Sequence, residues 1–158
     1  MNKVQRILVI GVLILVALYF IIRLIVFLLM KNSPTLGVQE GRLADCPDYP
    51  ACVSSFADPE DEVHYVKSIE NSLPVGEAKS KAIVLMESVA GAVLVAEEAN
   101  YLQFEIRVAP FGFVDDVEFY FPGDQESIEI RSSARVPYYD FDVNRKRVEL
   151  LREGFTNQ

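Results

Sequence analysis

Residues 92–136 read AVLVAEEANYLQFEIRVAPFGFVDDVEFYFPGDQESIEIRSSARV, and their two-residue rhythm decides the fold. Leu102, Phe104, Ile106 and Val108 alternate with Gln103, Glu105 and Arg107. Val117, Phe119 and Phe121 fall together, and Ile128, Ile130 and Ser132 oppose Glu129, Arg131 and Ser133. Successive side chains on a strand leave opposite faces, so each stretch predicts a strand with one apolar side. The short apolar run AVLVA adds another, and Pro122–Gly123 marks a turn. Strands are therefore expected at 92–98, 101–109, 113–121 and 127–136, following one another closely as in an antiparallel meander.

Helical spacing flanks this block. In 75–90, Ala78, Ala82, Leu85, Met86 and Val89 recur at three- and four-residue intervals, and Gly91 ends the pattern. In 143–155, Val143, Val148, Leu151 and Phe155 do the same, with Asp142 as the expected N-cap. The result is an α+β fold, a two-layer domain in which helices pack on an antiparallel meander sheet.

The N-terminus has a different character. Residues 7–30, ILVIGVLILVALYFIIRLIVFLLM, carry one charge in 24 positions. At 1.5 Å per residue they would span about 36 Å, enough to cross a hydrocarbon core of about 30 Å with some tilt. No small-x-small cleavage site follows Met30, so the run is expected to stay as a signal-anchor contacting the lipid bilayer. Lys3 and Arg6 precede it and predict a cytoplasmic tail at 1–6, which places the rest on the periplasmic or extracellular side. Arg23 either pairs with a partner helix or snorkels to the headgroups. Residues 31–37 then form a linker and 38–158 a single soluble domain.

Charge narrows the function. Residues 33–158 hold 11 basic and 23 acidic side chains, a formal charge of −12. Such a domain repels phosphate backbones, so no nucleic-acid partner is expected. The two cysteines, Cys46 and Cys52, sit in CPDYPAC. Their spacing and the single His64 do not make a zinc set, and neither metal nor cofactor is expected. Prolines flank both cysteines and no helix pattern follows, so a structural disulfide is preferred to a redox-active pair. Closing that seven-residue loop stabilises by roughly 2 kcal/mol in the chain-entropy account. Pro47, Pro50 and Pro59 argue against helix or central strand here and predict an ordered loop. Ser54 and Ser55 lack the glycines of a nucleophile elbow.

The most charged segment is Arg131–Arg147, RSSARVPYYDFDVNRKR, with five basic residues in an acidic domain. Together with CPDYPACVSS and PFGFVDDVEFYF, in that order and spacing, it resembles domain-of-unknown-function family 1499 over roughly Leu36 to Phe155. The resemblance implies importance for Cys46, Cys52, Ser54, Ser55, Asp115, Asp116, Arg131, Ser132, Arg135, Asp140, Asn144, Arg145 and Arg147. It names no activity. Ala134, Pro137, Tyr139 and Asp142 stand where the family tends to have Ser, Gly, Ser and Gly, which bears on the turn around position 137.

Candidate ligand-binding residues are Arg131, Arg135, Arg145, Arg147, Asp115, Asp116 and Asn144. Arg131 and Arg135 leave one face of a strand, and Arg107, Glu105, Glu118 and Glu129 can share it. Guanidinium forks suit carboxylate or phosphate, so the four arginines are either an anionic-ligand or partner site, or a clasp neutralised by Asp115, Asp116, Asp140 and Asp142. The first reading is a non-catalytic binding or scaffold module serving an envelope protein or anionic ligand. The alternative is a hydrolase or transferase using Asp115 or Asp116, with His64 carrying protons. No catalytic residue is assigned, because neighbours in a strand face opposite ways and the two aspartates cannot act as one acid–base pair. The segment is expected to serve as a clasp, with any site at its margin.

Overall fold

The computed structural model describes residues 2–30, 36–123, 126–136 and 140–156. Helix α1 (Lys3–Leu29) is long and apolar enough to cross a membrane. It starts before the apolar run because Asn2 and Gln5 form a capping box, each side chain accepting the other's backbone N–H at 2.8–2.9 Å. The basic tail is therefore helical from Lys3 onward.

The domain is α+β, as the alternation predicts. Strands β1 (Cys52–Ser54) and β2 (Ile69–Glu70) precede helix α2 (Val75–Glu87). The meander β3 (Ala92–Glu98), β4 (Tyr101–Val108), β5 (Phe113–Tyr120) and β6 (Ser127–Ala134) follows, and α3 (Val143–Thr156) closes the chain. These strands pair antiparallel, in the order β1-β6-β5-β4-β3, with β2 also on β6. The loop expected around the cysteines thus contains a short strand: Cys52, Val53 and Ser54 pair with Ser133, Ser132 and Arg131. The prolines all lie outside those three residues, so nothing in the ladder lacks a donor. Ser55 extends the match, its backbone N–H donating to the Ile130 carbonyl (2.9 Å) and its Oγ accepting the Ile130 N–H (2.9 Å). The Cys46–Cys52 disulfide is formed.

One sheet face carries the core. Leu102, Phe104, Ile106, Val117, Phe119, Ile128 and Ile130 meet Ala78, Ala82 and Met86 of α2 and Val148, Leu151 and Phe155 of α3. Phe104 and Phe119 pack edge to face at 6.0 Å, a geometry that the ring quadrupoles favour. Val143, expected on this face, is instead 43% exposed. Gly91 is required where it stands: its φ is +83°, and a Cβ there would come within 2.5 Å of the Arg107 carbonyl oxygen.

The start of α3 also departs from expectation. The Asp142 carbonyl accepts the first helical bond, from Lys146, but Asp142 has a left-handed φ of 61°. The carboxylate of Asp140 takes the Asn144 N–H at 2.9 Å, the role expected of Asp142. A left-handed backbone at 142 is the geometry for which glycine is the default residue. Pro137, Tyr138 and Tyr139 lie outside the described residues, as do the linker positions 31–35.

Candidate functional site

The alternation that builds the sheet also sorts the charges onto two faces. On the core face, at the end of β5, Asp115 accepts from Nη2 of Arg147 at 2.7 Å. Nη1 of Arg147 reaches Oγ of Ser132 (2.9 Å) and Oδ1 of Asn144 (2.6 Å), and Ser132 donates to that same Oδ1 at 2.6 Å. Asn144 in turn donates through Nδ2 to Asp140 (2.8 Å) and to the Ala51 carbonyl (3.3 Å). This chain ties β5, β6, α3 and the cysteine loop together. Every member but Asp140 is buried.

On the opposite face Asp116 receives a two-pronged contact from Arg135, whose Nε and Nη2 both lie 2.8 Å from its oxygens. Nη2 of Arg135 also meets Glu105 at 2.6 Å, and Nη1 reaches the Met30 carbonyl at the end of α1 (3.3 Å). Two residues along, Glu118 is fully buried and accepts from Tyr101 Oη (2.8 Å), Arg131 Nη1 (3.0 Å) and the Gly37 N–H (2.9 Å). Cross-strand register explains these partners: Glu118 sits opposite Arg131 on β6 and beside Gln103 on β4, while Asp116 sits opposite Ser133 and Glu105. Through that contact Gly37 covers part of this polar face.

The four candidate arginines therefore do not converge. Arg131 and Arg135 share one face, as their spacing predicts, and Arg147 lies on the other. Arg145 points elsewhere again, donating to the carbonyls of Tyr65 (2.7 Å), Glu62 (3.0 Å) and Val63 (3.0 Å). Asp115 and Asp116 are separated by the sheet, as neighbours in a strand must be. His64 belongs to neither group. Its Nδ1 lies 2.7 Å from Asp61 and its Nε2 3.2 Å from the Tyr49 carbonyl, which braces the cysteine loop.

Electrostatics follow burial. Desolvation pushes the Asp115 carboxyl above its ordinary value, and Arg147 pulls the other way. Hydrogen bonding to Asp116 raises the Arg135 guanidinium further above its already high value. Burial, and then the charge of Glu118, raise the Tyr101 hydroxyl, so it stays a neutral donor. A hydrogen bond from His64 lowers the Asp61 carboxyl.

Two clefts open beside these networks. One, of about 960 Å³, lies between α2, α3 and the end of β4. Its walls are Leu85, Val89, Ile106, Val143, Leu150 and Leu151, and Arg107, Lys146 and Arg147 stand at its polar edge. The other, of about 550 Å³, lies between α1 and the β4–β5 hairpin. Arg135 and Glu105 line that second cleft, whereas neither Asp115 nor Asp116 lines either one. Sequence reasoning missed the larger cleft because its walls come from residues that look like core. The exposure of Val143 and Leu150 appears only once α3 is docked. Among the described residues no group of His, Cys, Asp and Glu is placed to hold a metal.

An α+β domain with paired buried charges on both sheet faces, behind one long apolar helix, is the class of protein these observations define. The chain belongs to the family described as "Protein of unknown function (DUF1499)", whose pattern matches residues 42–155. That span is the domain without α1. No curated protein and no solved structure matches the chain.

Proposed function

We propose that the protein is a membrane-anchored, non-catalytic binding module of the cell envelope. Helix α1 holds its domain on the periplasmic or extracellular side, and the Arg131–Arg147 segment frames the binding surface rather than forming it. Lys3 and Arg6 ahead of the apolar run of α1, and a disulfide in the domain, support that orientation.

The observation that carries the reading is the contrast between the arginines and the larger cleft. Arg131, Arg135 and Arg147 are each held by a carboxylate of the domain itself, which leaves them little with which to bind an incoming anion. The neighbouring cleft has apolar walls, with Lys146 of the same segment and Arg107 of β4 at its edge. Apolar walls with a few convergent polar groups are the usual makeup of a binding pocket. Its occupant would bring an apolar group with an acidic end, as an envelope protein segment or an anionic ligand does.

Site-specific photo-crosslinking from position 150 of the full chain in cells tests this. Leu150 is 67% exposed, so replacing it leaves the fold intact. The expected result is a discrete adduct from position 150 that Lys146→Glu suppresses and that exposed Glu77 on α2 does not give. Equal, diffuse labelling from both positions would refute the assignment.

A further inference from the structure

The β4–β5 hairpin ends in Val108, Ala109, Pro110, Phe111, Gly112 and Phe113, six residues without a charge. An uncharged tip, exposed at Val108, Ala109 and Pro110 and half-buried at Phe111, Gly112 and Phe113, is unusual in so acidic a domain, and its neighbour is α1. Tyr19 donates to the Pro110 carbonyl (3.3 Å) and its ring lies 6.2 Å from that of Phe111. Arg23 also reaches the Pro110 carbonyl (3.4 Å), and its guanidinium packs against Gly112. The tip thus sits at the level of Tyr19 and Arg23, below the end of α1.

That level can be placed in a bilayer. Counted from Ile7, about 20 residues of helix cross a hydrocarbon core of about 30 Å, which brings its far boundary near Val26. Arg23 then lies about 5 Å, and Tyr19 about 10 Å, inside that boundary. A hairpin tip beside them is in the acyl region. One step outward along β4, Arg107 and Glu105 are at headgroup height, where Arg135 and Met30 complete the smaller cleft.

We propose that this cleft binds the phosphodiester of a phospholipid in the leaflet on the domain's side, with the hairpin tip seated among the acyl chains. The proposal rests on the reading of α1 as a membrane anchor. Arg23, Arg107 and Arg135 line the cleft against the single carboxylate of Glu105. Arg135 is committed to Asp116 and Glu105, but Arg107 is 59% exposed and, among the described residues, its side chain bonds only Glu105, at 3.2 Å; the Arg23 side chain bonds only the Pro110 carbonyl among those residues. Each guanidinium carries five N–H donors, so both present donors to an anion between them. A long cationic side chain just inside the hydrocarbon boundary can extend outward to the phosphate layer. Phe27 and Phe111 give its walls the apolar surface that the lipid's glycerol and first methylenes need.

The test uses the full chain in vesicles of phosphatidylcholine with phosphatidylglycerol. The protein has no tryptophan, so Phe111→Trp introduces a single indole at the tip. Asn100→Trp places one in the β3–β4 turn, at the far end of β4. Brominated phosphatidylcholine should quench the first severalfold more than the second. Native mass spectrometry of the chain released into detergent should show one retained phosphatidylglycerol. Arg23→Gln with Arg107→Gln, both at exposed positions, should lower that retention about tenfold, as expected for losing charge-assisted contacts. Equal quenching at the two positions, or retention unchanged by the double substitution, would overturn the proposal. So would inorganic phosphate competing as well as the lipid, since the site would then take a free anion. Release of the chain by alkaline carbonate washing is a separate outcome: it would overturn the anchor reading itself, and the lipid site with it.

Discussion

Glu118→Gln probes the polar face directly. Glu118 is fully buried and is the described side-chain partner of Arg131, which is 5% exposed and whose Nε has no hydrogen-bond partner among the described residues. The substitution keeps the shape and one carbonyl acceptor for Tyr101 but removes the counter-charge. A buried guanidinium left without its carboxylate costs about 3–5 kcal/mol. Against a total stability of about 5–15 kcal/mol, that would lower the melting temperature by about 10–20 °C. The joint replacement Glu118→Leu with Arg131→Met removes both charges, and desolvation of the pair no longer has to be offset. It should cost within about 2 kcal/mol of nothing. The cycle closed with Glu118→Leu and Arg131→Met singly should show a coupling of about 2 kcal/mol or more. Thermal unfolding of the full chain in detergent micelles reports this through the near-ultraviolet circular dichroism of tyrosine, since tryptophan is absent. Additive losses would refute the reasoning, because they would mean that the two side chains do not depend on each other. A loss under about 1 kcal/mol for Glu118→Gln would refute it too, by placing the pair in effectively aqueous surroundings.

Three further outcomes are expected. Tyr101 has a folded-state pKa raised above its ordinary value of 10.0, so the folded state keeps a proton that the unfolded state gives up. Its contribution is fully present below pH 10 and falls by about 1.4 kcal/mol per pH unit above it; Tyr101→Phe should flatten that alkaline slope in pH-dependent unfolding. Removing the disulfide by Cys46→Ser with Cys52→Ser should cost roughly 2 kcal/mol, read by denaturant unfolding without reductant, and it should lower protection of the Ser54–Arg131 pairing in amide exchange. Asp142→Gly should be neutral or stabilising by up to about 1 kcal/mol, because φ is 61° there. A clear loss on thermal unfolding would show that the aspartate side chain matters more than the backbone angle.

The sequence by itself determined the four strands of the meander and the two helices of the domain, because each rests on periodicity within about ten residues, and the anchor candidate, because it is one unbroken apolar run. Through alternation it also put Arg131 and Arg135 on one face and offered Glu105, Glu118, Glu129 and Arg107 as residues that can share it; the pairings with Glu105 and Glu118 came from the packed sheet. The separation of Asp115 from Asp116 followed from the same rule. Three residues such as Cys52–Ser54 are too few to show a period, so β1 emerged only when its pairing with β6 was formed. The identity of each ion pair was likewise a matter of tertiary structure. Arg147 lies on a helix, and which strand end it meets depends on how α3 docks; docking carried it to Asp115, across the sheet from the arginines it resembles in sequence. The same docking left Val143, which its spacing reads as core, facing a cleft beside Leu150. The uncharged tip at 108–113 gained a meaning only beside Tyr19 and Arg23, nearly ninety residues earlier in the chain. Local spacing sets which way a side chain leaves its own element. What it meets there is decided by the packing of elements distant in sequence, where burial makes an unpaired charge too costly to leave.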